Sequence, residues 1–560
     1  MDYYDLGKFG RRVTTSSPDA QLWFDRGLTW LYAFNHEEAV KCFAKAAEHD
    51  PDCAMAHWGM SYASGPNYNL PWELLDPNGR INALAASFDA AKKAMACAAR
   101  ARPVEQALIG SLSARYPQRD PPRGNSGEDM TVWDKAYTHK MRGIFDKHRD
   151  DLDVRCIFVD AIMNETPWQM WNLETGKPTE GAGTEEAQAA LEECFETSAA
   201  AWEHPGLLHL YVHLMEMSPF PQKALRAGDR LRELVPDSGH LVHMPTHIDV
   251  LCGHYHDVVV YNQKAVVADR KFLEREGPMN IYSMYRVHDH HFVIYGAMFL
   301  GQYTPAIEAA QEIIDTTPEA LLRIPSPPMA DFIEPFLSMK QHVLIRFGKW
   351  REIIAQEVPA DPELYCATTA MMLYAKGVAH SVLGEIAEAE KARTAFRAAR
   401  AKVPESRRVH NNTVVDILAI AEEMLSGELE YRRGNFDLAF AHLRRAVQFD
   451  DALPYDEPWG WMQPTRHALG ALLLEQGHVA EAEAVYRSDL GYDGKLRRAC
   501  QHPENVWSLH GLHECLRRRG DTIEAPLIKA RLDLAQARAE VPIRASCLCR
   551  REAAQAPLPR

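Results

Sequence analysis

The sequence predicts an all-α chain built as a solenoid of helix-turn-helix repeats. Three observations predict it. Apolar residues recur at i, i+3, i+4 and i+7 along segments rich in Ala, Leu, Glu and Arg, the spacing of helices with one buried face. Strand-type alternation is scarce. A frame of small residues, one aromatic and a closing proline returns along the chain, as when one supersecondary unit stacks on copies of itself.

The clearest unit comes first: Gly27, Ala39, Phe43, Ala46 and Pro51. Small residues let the two helices of a hairpin approach, the aromatic fills the gap to the next hairpin, and the proline ends the second helix. Comparable frames follow at Gly253-His-Tyr255…Val258…Ala265 and Gly301-Gln-Tyr303…Ala306…Ile313…Pro318. Further copies stand at Gly384…Ala389…Phe396, Gly434-Asn-Phe436…Ala439…Leu443…Ala446 and Gly477…Ala482…Tyr486, with a degenerate one at Gly520…Ala525. Polar or proline-rich stretches at 116–130, 172–185, 318–335 and 450–464 read as loops. The last holds Tyr455, Glu457, Trp459 and Trp461, and either covers a cavity or packs on a helix face. This divides the chain into N-terminal repeats (1–115), central repeats (131–350), C-terminal repeats (361–540) and a tail (541–560).

At 560 residues the chain exceeds one ordinary compact domain, which suits a repeat array. A net charge of −15 argues against nucleic acid, whose phosphates need a basic face. No apolar run of about 18 residues predicts a membrane span. The opening residues lack the apolar core of a secretory leader, and the expectation is a cytoplasmic protein. Eleven cysteines, mostly within apolar helical patterns, read as core residues in a reducing compartment. Cys547-Leu-Cys549 is the exception, either a metal or redox pair or, as the favoured reading, part of an exposed tail.

The histidines carry the functional signal. They occur as His209…His213…Glu216, His240…His243…His247 and His288…His291, and 34 residues separate both His209 from His243 and His213 from His247. Two histidines four apart lie on one helix face and can chelate one ion. Imidazole is a common ligand for Zn, Fe, Cu and Ni. Two such pairs plus a third at i, i+3, in one frame, predict a mono- or dinuclear metal site on His209, His213, Glu216, His243, His247, His288 and His291. The competing readings are a hydrogen-bonded network of core histidines and Glu216, and a groove that binds an acidic peptide. His204, before Pro205, reads as a helix-start residue. Asp160 and Asn164 share helical spacing and precede Trp168 and Trp171. Asp160 and Tyr295 are candidate catalytic groups, and Trp168, Asn164 and His240 candidate substrate contacts.

The repeat frames resemble the tetratricopeptide repeat (TPR). The stretches HPGLLHLYVHLMEMSP and GHLVHMPTHIDVLCGHYHD, with the terminal RASCLCR, resemble a group of TPR proteins carrying HPG…HxxxHxxE and HMP[ST]H segments, with Thr246 at the variable position. The resemblance implies a right-handed solenoid curling around a central groove. It also implies that positions 2, 5, 9 and 12 of each first helix line that groove. His209, His213 and Glu216 then take positions 5, 9 and 12, His240, His243 and His247 take 2, 5 and 9, and His288, His291 and Tyr295 take the same three in the next repeat. The group supplies the histidine pattern and no reaction.

The expected function is a metal-dependent enzyme, an oxidoreductase using one or two Fe, Cu or Zn ions on a small-molecule substrate, because histidines dominate the set. The alternatives are a TPR interaction scaffold, with a protein partner on the C-terminal repeats, a zinc-type metallohydrolase, and a metal buffer or sensor.

Overall fold

The structure, a computed structural model, describes residues 3–551. It is all-α: among the described residues the strands are the two-residue pairs Trp171–Asn172 with Lys177–Pro178 and Arg408–Val409 with Asn412–Thr413. The chain divides into two compact units. Unit 1 is Met1–Ile248 with Lys264–Tyr282 and Pro325–Pro327; unit 2 is Asp249–Gln263, Ser283–Ile324 and Pro328–Arg560. Residues 552–560 of the expected tail lie outside the described residues.

Unit 1 runs through α1 (Pro18–Tyr32), α2 (His36–His49), α3 (Ala54–Ala63), α4 (Pro77–Cys97), α5 (Pro103–Arg115), α6 (Thr131–Phe145), α7 (Leu152–Met163), α8 (Thr184–Thr197), α9 (Pro205–Glu216), α10 (Leu225–Leu231) and α11 (Gly239–His243). From α1 to α10 each helix packs on the next in sequence, the short-range pattern of a repeat array. The first hairpin shows why its residues are small. Phe43 on α2 lies against Gly27 on α1 and Gly59 on α3, and a Cβ at either glycine would stand 2.7 or 2.6 Å from its ring. One aromatic thus cements a hairpin to the helix after it.

Unit 2 repeats the device. Tyr486 fills the space between Gly470 and Gly511, where an added Cβ would come within 2.5 and 2.2 Å of the ring. The frame glycines Gly253, Gly301, Gly384, Gly434, Gly477 and Gly520 all have left-handed φ, between 72° and 83°. Each ends a helix so that a following N–H reaches back to a carbonyl five residues earlier, as from Gln302 to Ala297 at 2.8 Å and from Glu385 to His380 at 2.8 Å. Glycine takes this conformation without the Cβ clash other residues meet.

The 450–464 loop packs inward. Trp459 and Trp461 are buried; Trp459 donates to Asp450 at 3.0 Å, and Trp461 meets His342 edge-on. Trp461 also lines a cavity of about 40 Å³ with Tyr374 and His467. The segment around Cys547 corrects the expectation of an exposed tail. Ser546 bonds the Tyr486 hydroxyl and the His467 carbonyl, Arg550 pairs with Glu514, and Cys549 is buried. Cys547 and Cys549 form a disulfide, where the sequence favoured reduced cysteines; the other nine are free. Among the described residues no helix is long and apolar enough to cross a membrane.

Candidate metal centre

Helix α9 forms the floor of the site in unit 1. His204 caps it, its Nδ1 accepting the Leu207 N–H at 3.2 Å, and Pro205 occupies the first turn, where its missing N–H costs nothing. All twelve residues of α9 are buried, so His209, His213 and Glu216 point into protein. His240 and His243 sit on α11, which Ser238 caps. The sequence reads 240–247 as one helical stretch, but the structure breaks it at Met244-Pro245, because proline brings no N–H. The chain resumes as α12 (Thr246–Cys252). The Thr246 hydroxyl takes up the His243 carbonyl at 2.7 Å, and His247 remains within reach of His243.

Hydrogen bonding fixes the tautomers. His213 Nδ1 lies 2.9 Å from Glu216 Oε1, and His247 Nδ1 lies 2.7 Å from Glu216 Oε2. His209 Nδ1 lies 2.7 Å from the Tyr32 carbonyl. These oxygens accept, so in all three rings Nδ1 carries the proton and Nε2 the lone pair. His243 Nε2 then donates to His247 Nε2 at 2.7 Å. The Nε2 atoms of His209 and His213 are buried without a hydrogen-bond partner. Burial pushes His213 down to about 3, and pushes His209, His240 and His247 well below the usual imidazole range, so these rings are neutral at pH 7.

The rings converge. One nitrogen from each of His209, His213 and His240 lies within 4.8 Å of the other two, and donor atoms of His213, Glu216 and His247 lie equally close together. Nitrogens sharing one tetrahedral ion at 2.0–2.1 Å stand about 3.3 Å apart, so modest rotations of the imidazoles close such a shell.

Two strained residues hold the cluster. Phe34 occupies the turn between α1 and α2 with φ 55°, and the Asn35 N–H reaches the Trp30 carbonyl at 3.0 Å, the same turn that unit 2 makes with glycine. A left-handed non-glycine residue costs roughly 1–2 kcal/mol. What it gains is placement: the Phe34 ring lies 4.4, 5.8 and 6.0 Å from the rings of His209, His213 and His240. Trp168, half-buried with φ 53°, packs on Tyr68 and donates its N–H to the Tyr68 hydroxyl at 3.1 Å. Tyr68 in turn lies 4.8 Å from His213. A cavity of about 20 Å³, room for one water-sized molecule, is lined by His209, Phe34, Tyr62 and Asp160. The Tyr62 hydroxyl donates to Asp160, whose carboxyl burial raises above the usual range.

Unit 1 therefore brings together His209, His213, Glu216, His240, His243 and His247, with Asp160 across the cavity, Asn164 one turn beyond it and Trp168 one ring removed. His288, His291 and Tyr295 belong to unit 2, where Tyr295 is buried against Phe299 at 4.6 Å. Sequence reasoning missed Tyr32, Phe34 and Tyr68. Phe34 had a signal: it stands where the other frames have glycine.

Residues 20–53, which span α1, the Phe34 turn and α2, match the tetratricopeptide repeat family. The chain carries a tetratricopeptide repeat. The glycine–aromatic packing of this hairpin returns in unit 2, at Gly470, Tyr486 and Gly511. No curated protein matches the chain. Among solved structures, the APC/C hetero-tetramer Cut9–Hcn1 matches at 12% identity over 92% of this chain and 87% of that one, with a TM-score of 0.28. Yeast Tom70 matches at 11% over 92% of each chain, with 0.27. An IFIT1 monomeric mutant with Gppp-AAAA matches at 11% over 87% of this chain and 95% of that one, with 0.29.

Proposed function

We propose that unit 1 holds a transition metal on His209, His213 and His240, and that the protein is a metal-dependent oxidoreductase built on helical repeats. The observation that carries this reading is the pair of buried, partnerless Nε2 atoms of His209 and His213, whose Nδ1 protons are pinned on oxygens. A carboxylate or carbonyl behind each imidazole is how proteins orient histidine ligands. Glu216 meets two imidazoles and serves in this role, with His247 and His243 as the next layer. A set of neutral nitrogens suits Fe, Cu or Zn. The adjoining cavity takes water or dioxygen, so the expected small-molecule substrate is of that size unless Phe34 or Tyr68 moves. Tyr62 and Asp160 stand ready on its wall as a proton source.

The second reading, a scaffold without catalysis, is favoured by the repeat at residues 20–53. Elemental analysis of tag-free protein, purified without chelator, separates the two. One or two equivalents of Fe, Cu or Zn, lost in His209→Gln and His213→Gln, support the metal centre, and zinc alone moves the chemistry to hydrolysis. No metal after anaerobic reconstitution refutes it and leaves the scaffold.

A further inference from the structure

Unit 2 contains a histidine group of a different chemical kind. His288 and His291 project from one face of the helix Tyr282–Leu300. His410 comes from the two-residue turn of the hairpin Arg408–Val409/Asn412–Thr413, and Met462 from the 450–464 loop. These segments converge: His288 Nδ1 lies 2.8 Å from His410 Nε2, and His291 Nε2 lies 2.7 Å from the Met462 sulfur. One nitrogen of each histidine lies within 4.8 Å of the other two. Phe336 closes the side, edge-on to His291 at 5.1 Å and to His410 at 5.0 Å. Met462 and His291 are buried.

The turn singles out His410. Its φ is 46°, the left-handed conformation that such turns give to glycine or asparagine. A bulky residue kept there costs stability unless its side chain is needed, and strain of this kind collects at functional sites. The ring goes straight to His288.

We propose that His288, His291, His410 and Met462 form a site for cuprous copper. Three imidazoles and a thioether carry no charge. Thioether sulfur is soft and selects Cu(I), whereas harder divalent ions favour carboxylate and water oxygens. A neutral donor set also leaves only a single positive charge to bury with a monovalent ion.

The test uses the full chain and Cu(I) itself, under argon with ascorbate, titrated against a chromophoric Cu(I) chelator. Other thiols and histidines also take copper, so the readout is a difference between variants. Met462→Leu keeps the volume of the side chain and removes the sulfur. His410→Asn removes the imidazole and tolerates the left-handed turn. Each is expected to weaken one Cu(I) equivalent at least tenfold, with unchanged helical circular dichroism and unchanged Zn(II) content. His213→Gln is expected to leave that equivalent intact, so that failure of this proposal and failure of the unit 1 reading are told apart. Wild-type Cu(I) binding in both Met462→Leu and His410→Asn overturns the proposal. So does loss of the equivalent in His213→Gln alone.

Discussion

Glutamine at position 216 is the sharpest test of the unit 1 site. Glu216 places one oxygen against His213 Nδ1 and the other against His247 Nδ1, at 2.9 and 2.7 Å. Glutamine keeps the shape but offers one acceptor and one NH2 group. One imidazole retains its bond. The other faces a donor, so its proton moves to Nε2 and its ligand lone pair turns to the amide. The variant loses one charge-assisted hydrogen bond, about 1.5–3 kcal/mol of stability. If His213 is the ring that switches, a ligand is lost; if His247 is, its hydrogen bond with His243 must reverse. Changes behind metal-binding histidines typically cost about 10–100-fold in affinity, or roughly 1.4–2.7 kcal/mol at 1.36 kcal/mol per tenfold. The assay is competition titration of Zn(II) against a chelator of known affinity, with 15N spectra of histidine-labelled apoprotein to report which nitrogen is protonated. Wild-type affinity with every Nδ1 still protonated would refute the tautomer argument.

Acid should destabilise the apoprotein through the buried histidines. His213 folds with its pKa near 3, below the ordinary value of 6.5, so its contribution is complete above pH 6.5 and is lost as pH falls towards about 3. The loss runs at about 1.36 kcal/mol per pH unit, roughly 2 kcal/mol by pH 5. Urea midpoints at pH 7 and 5 should show a shallower pH dependence in His213→Gln, and equal slopes would remove His213 from the account. Phe34→Gly gives the first hairpin the glycine that unit 2 uses. It should relieve about 1 kcal/mol of strain and forfeit roughly 3–5 kcal/mol of ring packing. A net loss near 2–4 kcal/mol in thermal melts is expected, and a gain would mean that the ring holds nothing. Gly511→Ala drives a methyl to within 2.2 Å of Tyr486 and should cost about 1–3 kcal/mol through overpacking, whereas an unchanged melting temperature would mean that this glycine is not a packing residue.

The repeats were legible because their signals are local. A glycine that must turn left-handed and the small and aromatic residues of the helix after it sit in one short window, as at Gly384…Ala389…Phe396 and Gly477…Ala482…Tyr486. The histidine spacing was equally local, and His209, His213 and Glu216 follow from two turns of α9. What completes each group is remote in sequence. Phe34 meets His209 from another helix pair, and the group that fixes His209 is a backbone carbonyl, which no residue type announces. His410 joins His288 across 122 positions through a hairpin that a helical pattern gives no reason to expect. The break at Pro245 was written in the sequence, but the single i, i+4 count hid it.

The cluster's own energetics favour a ligand over a purely structural network. A polar network retained for stability fills its hydrogen bonds, since each buried unsatisfied group costs about 1–3 kcal/mol. Here His209 makes one bond, to the last carbonyl of α1, and leaves Nε2 bare. Replacing it with leucine removes the bare nitrogen and strands the Tyr32 carbonyl, two effects of similar size and opposite sign. His209→Leu apoprotein should therefore stay within about 1 kcal/mol of wild type, while bound metal falls away. A structural histidine makes the opposite prediction: a loss of several kcal/mol in the apoprotein and no change in metal content. Melting curves of the two apoproteins, read beside their metal analysis, decide whether this ring was kept for the fold or for what the fold holds.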